Sequence, residues 1–137
     1  MPYPRVTLMT RRRKLTIKTK RVYDTPARAD GCRILVDRIW PRGLSKADAA
    51  LDVWIKDVAP STALRQWFGH DPSKWAAFTK KYIRELAKNQ EAIELVLEAC
   101  TGPTVTLLFG AKDVQHNNAV ALKEYLEQRF TARSPDR

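Results

Sequence analysis

A chain of 137 residues, 44% hydrophobic and 29% charged, is sized and composed for one soluble globular domain and excludes wholesale disorder. No apolar run approaches the ~18 residues of a membrane helix, and the basic N-terminus lacks the ~7–15-residue apolar segment of a secretory leader. The formal charge is +10, and residues 1–24 hold eight basic residues against one acid.

Two roles stand open for that basic start. Residues 1–14 read as a flexible, solvated extension. Residues 1–21 could also attract nucleic acid through phosphate contacts that carry no sequence information.

The elements follow in chain order. Leu15 to Tyr23 alternates apolar and polar residues with β-branched members, which predicts a half-buried strand over 15–23. Thr25-Pro26 and Asp30-Gly31 bracket a loop. Arg33 to Arg38 is a short apolar run between polar ends, the pattern of a strand buried on both faces. Ser45 starts a helical turn, with Asp48 in capping-box position.

Ser61 is the next N-cap, with Leu64, Trp67 and Phe68 expected on one inward face and Gly69 closing the helix. Asp71-Pro72 opens another helix, whose inward stripe is Trp75, Phe78, Tyr82 and Leu86. Asn89 is expected to cap a third, with Ile93, Val96, Leu97 and Cys100 inward. Thr104 to Phe109 is a buried strand. A last helix is expected from about His116 to Phe130, burying Val120, Leu122, Leu126 and Phe130, before a frayed tail over 131–137.

Buried-type strands separated by helices predict a small three-layer α/β domain over 15–130, its mainly parallel sheet covered by helices. Ligand sites in such sheets form beyond the carboxyl ends of the strands. That rule selects Asp37 to Lys46 and Gly110 to Asn118. In the first segment, Arg38, Arg42 and Lys46 suit a carboxylate or phosphate, Trp40 offers a stacking face, and Asp37 serves as ligand contact or as ion-pair partner of an arginine. In the second, Asp113 and His116 are an acid/base candidate and Asn117 is a ligand contact or a local brace. His70 stands before a helix N-terminus, where the dipole disfavours its charged form.

No phosphate-loop, dinucleotide, metalloprotease or serine-nucleophile motif occurs. Neither Cys32 nor Cys100 stands in a CxxC pair or in metal-ligand spacing with a histidine, so no metal is assigned and both are expected as reduced cytosolic thiols. No cofactor is assigned.

Several strings together are distinctive: Arg21-Val22-Tyr23-Asp24, Leu35-Val36-Asp37-Arg38-Ile39-Trp40-Pro41-Arg42-Gly43-Leu44-Ser45-Lys46, Leu64-Arg65-Gln66-Trp67-Phe68-Gly69-His70-Asp71-Pro72, and Asp113 with His116-Asn117-Asn118-Ala119. They resemble the YeaO-like family within the DUF488 group over roughly residues 15–130. The resemblance implies a small, bacterial, cytoplasmic protein without an established activity. Its signature polar positions fall on Asp37, Arg38, Arg42, Lys46, His70, Asp71, Asp113, His116 and Asn117. Residues 1–14 depart from the family pattern.

The expected function is binding of a small anionic or phosphorylated ligand in one pocket built by the two strand-end loops, with enzymatic action left open. The alternative is a nucleic-acid-binding or regulatory module using the basic arm.

Overall fold

The computed structural model describes residues 15–133. The basic arm over 1–14 and residues 134–137 lie outside that range. Four strands form one parallel sheet in the order β1-β4-β2-β3: β1 is Thr16–Arg21, β2 Cys32–Leu35, β3 Val53–Trp54 and β4 Thr104–Phe109. The helices are α1 (Lys46–Ala49), α2 (Thr62–Phe68), α3 (Trp75–Ala87), α4 (Gln90–Ala99) and α5 (Asn118–Arg133). The expected α/β class with a parallel sheet is the observed one.

Strand β4 runs between β1 and β2, which is why it is nearly all apolar: Val105, Thr106, Leu107, Leu108 and Phe109 are all buried. Its one buried hydroxyl is satisfied, because Thr106 Oγ1 donates to the Asp30 carbonyl at 2.7 Å. The entry to β2 needs glycine. Gly31 has φ +66, and a Cβ there would lie 2.2 Å from the Thr104 carbonyl oxygen.

The layers are unequal. Side chains of β1, β2 and β4 on one sheet face join those of α2, α3, α4 and α5 in the main core, with Ile17, Ile34, Leu107, Phe78, Tyr82, Ile93 and Leu122 buried together. The other face is covered by the segment between β2 and β3, where Trp40, Leu44, Leu51 and Trp54 pack on Val22, Leu35 and Leu108 around the single turn of α1. The third layer is therefore thin.

Local signals behave as their chemistry requires. Ser45 and Ser61 accept the N–H groups of Asp48 and Leu64 as N-caps, and Gly69 closes α2 with φ +55. Asp71 caps a 3₁₀ turn over Pro72–Lys74 that leads straight into α3.

Five expectations are corrected. Trp67 is 40% exposed, because Leu64 and Phe68 already fill the inward stripe of α2; Lys74 and Lys81 instead lie about 5 Å from its ring. Asn89 holds the N-cap position of α4 without capping it, and its Nδ2 donates to the Asp57 carbonyl. Helix α5 starts at Asn118 rather than His116, because Asn117 is its cap: Oδ1 accepts the Val120 N–H at 3.0 Å. Its buried stripe is Ala119, Leu122 and Leu126, leaving Val120 half-buried; the side chain of Phe130 lies outside the described residues. Helix α5 also runs on to Arg133, into the stretch expected to fray. Strand β3 was not legible in the sequence, since two residues cannot show a period.

Candidate functional site

Register places the carboxyl ends of the three longer strands side by side. Arg21 pairs with Phe109 and Leu35 with Leu108. The chains leaving β2 and β4 must therefore emerge at one edge of the sheet. Between them, closed by α2 and the start of α3, lies a cleft of about 490 Å³. Residues separated widely in sequence line it, among them Arg38, Arg42, Arg65, His70, His116 and Asn117.

The floor is built from Asp37. Its Oδ2 accepts the Gly110 N–H at 2.8 Å, tying the end of β2 to the end of β4. Its own carbonyl accepts the Trp54 indole N–H at 2.7 Å. Asn118, opening α5, donates to the Val36 carbonyl at 2.9 Å, so three elements are tied at one point. Burial pushes the Asp37 carboxyl above the usual range, against the Gly110 N–H, the Asn118 amide and the nearby Arg65 and His70 side chains, which act to lower it.

The cations divide into engaged and free. Arg38 lines the cleft, but its Nε and Nη2 donate to the carbonyls of Pro60 and Ala59 at 3.2 and 3.0 Å. Among the described residues no hydrogen bond or ion pair engages the guanidinium of Arg42 or Arg65, and both residues are exposed at the cleft. The hydroxyl of Tyr23 donates to the Arg42 carbonyl at 2.8 Å and so holds that loop. Lys46 does not line the cleft: it is the exposed first residue of α1.

His116 and Asp113 form a pair, with Nδ1 and Oδ2 2.9 Å apart. Only His116 lines the cleft. Asp113 stands behind it, and its Oδ1 accepts the N–H groups of Gln115 and His116. The Gln115 N–H first, then the His116 side chain, hold the Asp113 carboxyl below the usual range. The His116 ring meets Trp75 edge-on, with centroids 5.3 Å apart. Asn117 reaches the cleft wall, but its amide is spent locally: Nδ2 donates to the Asp113 carbonyl and Oδ1 caps α5. Trp40 also lines the cleft; its N–H donates to the Leu44 carbonyl and its ring packs edge-on against Trp54.

His70 lines the cleft from a strained backbone, with φ +58 directly after Gly69. Histidine tolerates this left-handed region better than most residues, but the conformation still costs energy.

Sequence reasoning missed Arg65, which entered only as part of the resemblance. A signal existed: Arg65 is one residue after Leu64 and three before Phe68, at the edge of the inward stripe of α2. Phe68 and Phe78, read as core, are also cleft walls. Among the described residues no Ser, Thr, Cys, Lys or Glu lines the cleft. Among the described residues no group of three or more His, Cys, Asp or Glu side chains is arranged to hold a metal, and no helix is long and apolar enough to cross a membrane.

The cations following the arm are occupied. Lys18 donates to the Ala29 carbonyl, Lys20 pairs with Asp30 at 3.1 Å, and Arg21 donates to the Ala111 carbonyl. A groove of about 710 Å³ lies at the opposite edge of the sheet, between Gly31, Cys32 and Thr104, where among the described residues only Arg28 and Asp52 bring charge.

Residues 16–137 match a family model described as "Inactive DUF488-N3 subclade". The chain is similar to "Uncharacterized protein YeaO" of Escherichia coli (strain K12), 41% identical over 112 residues that span 82% of this chain and 97% of the relative. It is also similar to "Uncharacterized protein Mb3100c" of Mycobacterium bovis and "Uncharacterized protein Rv3073c" of Mycobacterium tuberculosis, each 37% identical over 118 residues, 85% of this chain and 98% of the relative. No solved structure matches the chain.

Proposed function

The chain belongs to the YeaO-like DUF488 family, and from that premise we propose that the strand-end cleft binds a small organic anion, carrying a phosphate or carboxylate, without transforming it. The observation that carries the reading is the convergence of Arg42 and Arg65, free of protein partners among the described residues, on one cleft of about 490 Å³. That size suits a small molecule. Guanidinium forks match carboxylate and phosphate oxygens in pairs.

Binding without reaction is favoured by the lining itself. Among the described residues it offers no hydroxyl or thiol nucleophile apart from the Tyr23 phenol, which is already engaged with the Arg42 carbonyl. The word "inactive" in the matching family description agrees with this. His116, held by Asp113 through Nδ1, then serves as a ligand contact through its other nitrogen. A cytoplasmic setting fits the two free thiols, Cys32 and Cys100.

Thermal unfolding with phenyl phosphate and benzoate tests the reading. At a hundred times the dissociation constant either ligand should add about 2.7 kcal/mol of stability. Arg42→Ala combined with Arg65→Ala should abolish the response while leaving the unliganded protein within about 0.5 kcal/mol of the parent, because both side chains are exposed. A response that survives the double substitution would place the anion elsewhere and overturn the reading.

A further inference from the structure

Resting on that reading, we propose that the ligand is bipolar: an organic anion whose flat, unsaturated body ends in an N–H or O–H donor that hydrogen-bonds to Asp37. A lone anion complements only part of the cleft. Arg42 and Arg65 attract it, but Asp37 lines the same space with a carboxylate. Two negative groups confined there repel each other. A donor at the far end of the ligand turns that repulsion into a charge-assisted bond.

The free valence is identifiable. Oδ2 of Asp37 takes the Gly110 N–H. Among the described residues Oδ1 takes no hydrogen bond of ordinary geometry, although the Asn118 amide stands beside the carboxylate while donating to the Val36 carbonyl. Asp37 is partly buried and lines the cleft, so a carboxylate oxygen left without a protein donor there is an acceptor awaiting one. The body between the two ends is set by the walls. Tyr23, Trp40, Phe68 and Phe78 present rings, against which a flat unsaturated body packs best.

The test is calorimetric titration of the full chain with matched pairs: phenyl phosphate against 3- and 4-aminophenyl phosphate, and benzoate against 3- and 4-aminobenzoate. The better amino member of at least one pair should bind about tenfold tighter than its parent, the size of one hydrogen bond to a charged group. Asp37→Asn should erase the preference. The asparagine oxygen is needed by the Gly110 N–H, so its NH₂ faces the ligand and meets donor with donor. If that variant does not fold, Asp37→Ser removes the carboxylate and should erase the preference equally.

The failures are separable. Parent anions that bind while no amino group improves them overturn the bipolar ligand and leave the anion reading standing. An amino preference that persists in the Asp37 variants also overturns it, because the donor then meets another group. If neither member of either pair binds, the anion reading itself falls and takes this inference with it.

Discussion

The backbone N–H of Gly110 donates to Oδ2 of Asp37 across 2.8 Å, joining positions 73 apart in the chain. Each residue sits just past the carboxyl end of its own strand, and β2 and β4 are parallel neighbours. One hydrogen bond therefore fixes the separation of the two loops that flank the cleft. It also commits one carboxylate oxygen to structure, while the other takes no hydrogen bond of ordinary geometry among the described residues.

Asp37 should set an unusual pH dependence. Burial raises its folded pKa above the ~3.9 of an unfolded aspartate. The folded state therefore binds its proton more tightly, and this group's contribution to stability falls as pH rises from ~3.9 through the raised value. Asp30, Asp71 and Asp113 have the opposite sign: their depressed values add stability that is present above ~3.9 and lost as pH falls through the folded values. Urea denaturation from pH 3 to 7 should show the parent losing ground to Asp37→Asn as pH rises. A constant difference across that range would refute the assignment.

Asp30 and Arg33 form a buried ion pair at 2.6 Å beneath the thin layer, and Arg33 also donates to the carbonyls of Ala49 and Ala50. Lys20 meets the same carboxylate. Asp30→Ala leaves a buried guanidinium without its counter-charge and should cost about 3–5 kcal/mol. Chemical denaturation measures it; a loss below about 1 kcal/mol would mean that water reaches Arg33.

His70 should separate strain from recognition. With φ +58, a glycine fits its backbone and an alanine does not. His70→Gly should keep or raise the melting temperature, and His70→Ala should lie below it by the equivalent of about 1 kcal/mol. Both variants should weaken the thermal response to phenyl phosphate. An alanine variant more stable than the glycine one would show that the residue does not occupy the left-handed region.

Trp75 is half-buried, stacked on Phe78, tilted against Phe68 and edge-on to His116. Trp75→Ala should cost about 3 kcal/mol, the lower end for a large aromatic, because part of the ring already meets water. Urea unfolding checks it, and a cost below about 1 kcal/mol would show that the ring packs on nothing that matters.

Deleting residues 1–13 should leave the melting temperature unchanged, because the sheet begins at Thr16. It should weaken any nucleic-acid affinity and flatten its salt dependence. Lys18, Lys20 and Arg21 are engaged within the fold, so little basic surface remains in the segment after the arm. A truncated chain that binds nucleic acid with an unchanged salt slope would locate that binding elsewhere.

What was legible in the sequence is what near neighbours decide. Ser45, Ser61 and Gly69 act as caps because their partners lie three or four residues away. Two buried strands were readable from their apolar runs, and parallel pairing then implied that the segments after Val36 and Phe109 share an edge. What tertiary structure alone decided is which polar groups at that edge are left free. Arg38 and Arg42 look alike in sequence, yet Arg38 is taken by carbonyls more than twenty residues away, while Arg42 keeps its charge for the cleft. Arg65 joins it from α2, where the local pattern marks it as a stripe-edge residue but cannot say that the edge borders the cleft, and Asp113 turns behind His116 instead of into the cleft. A side chain's availability is what remains after its contacts across the fold are satisfied, and those contacts exist only once the chain has closed on itself.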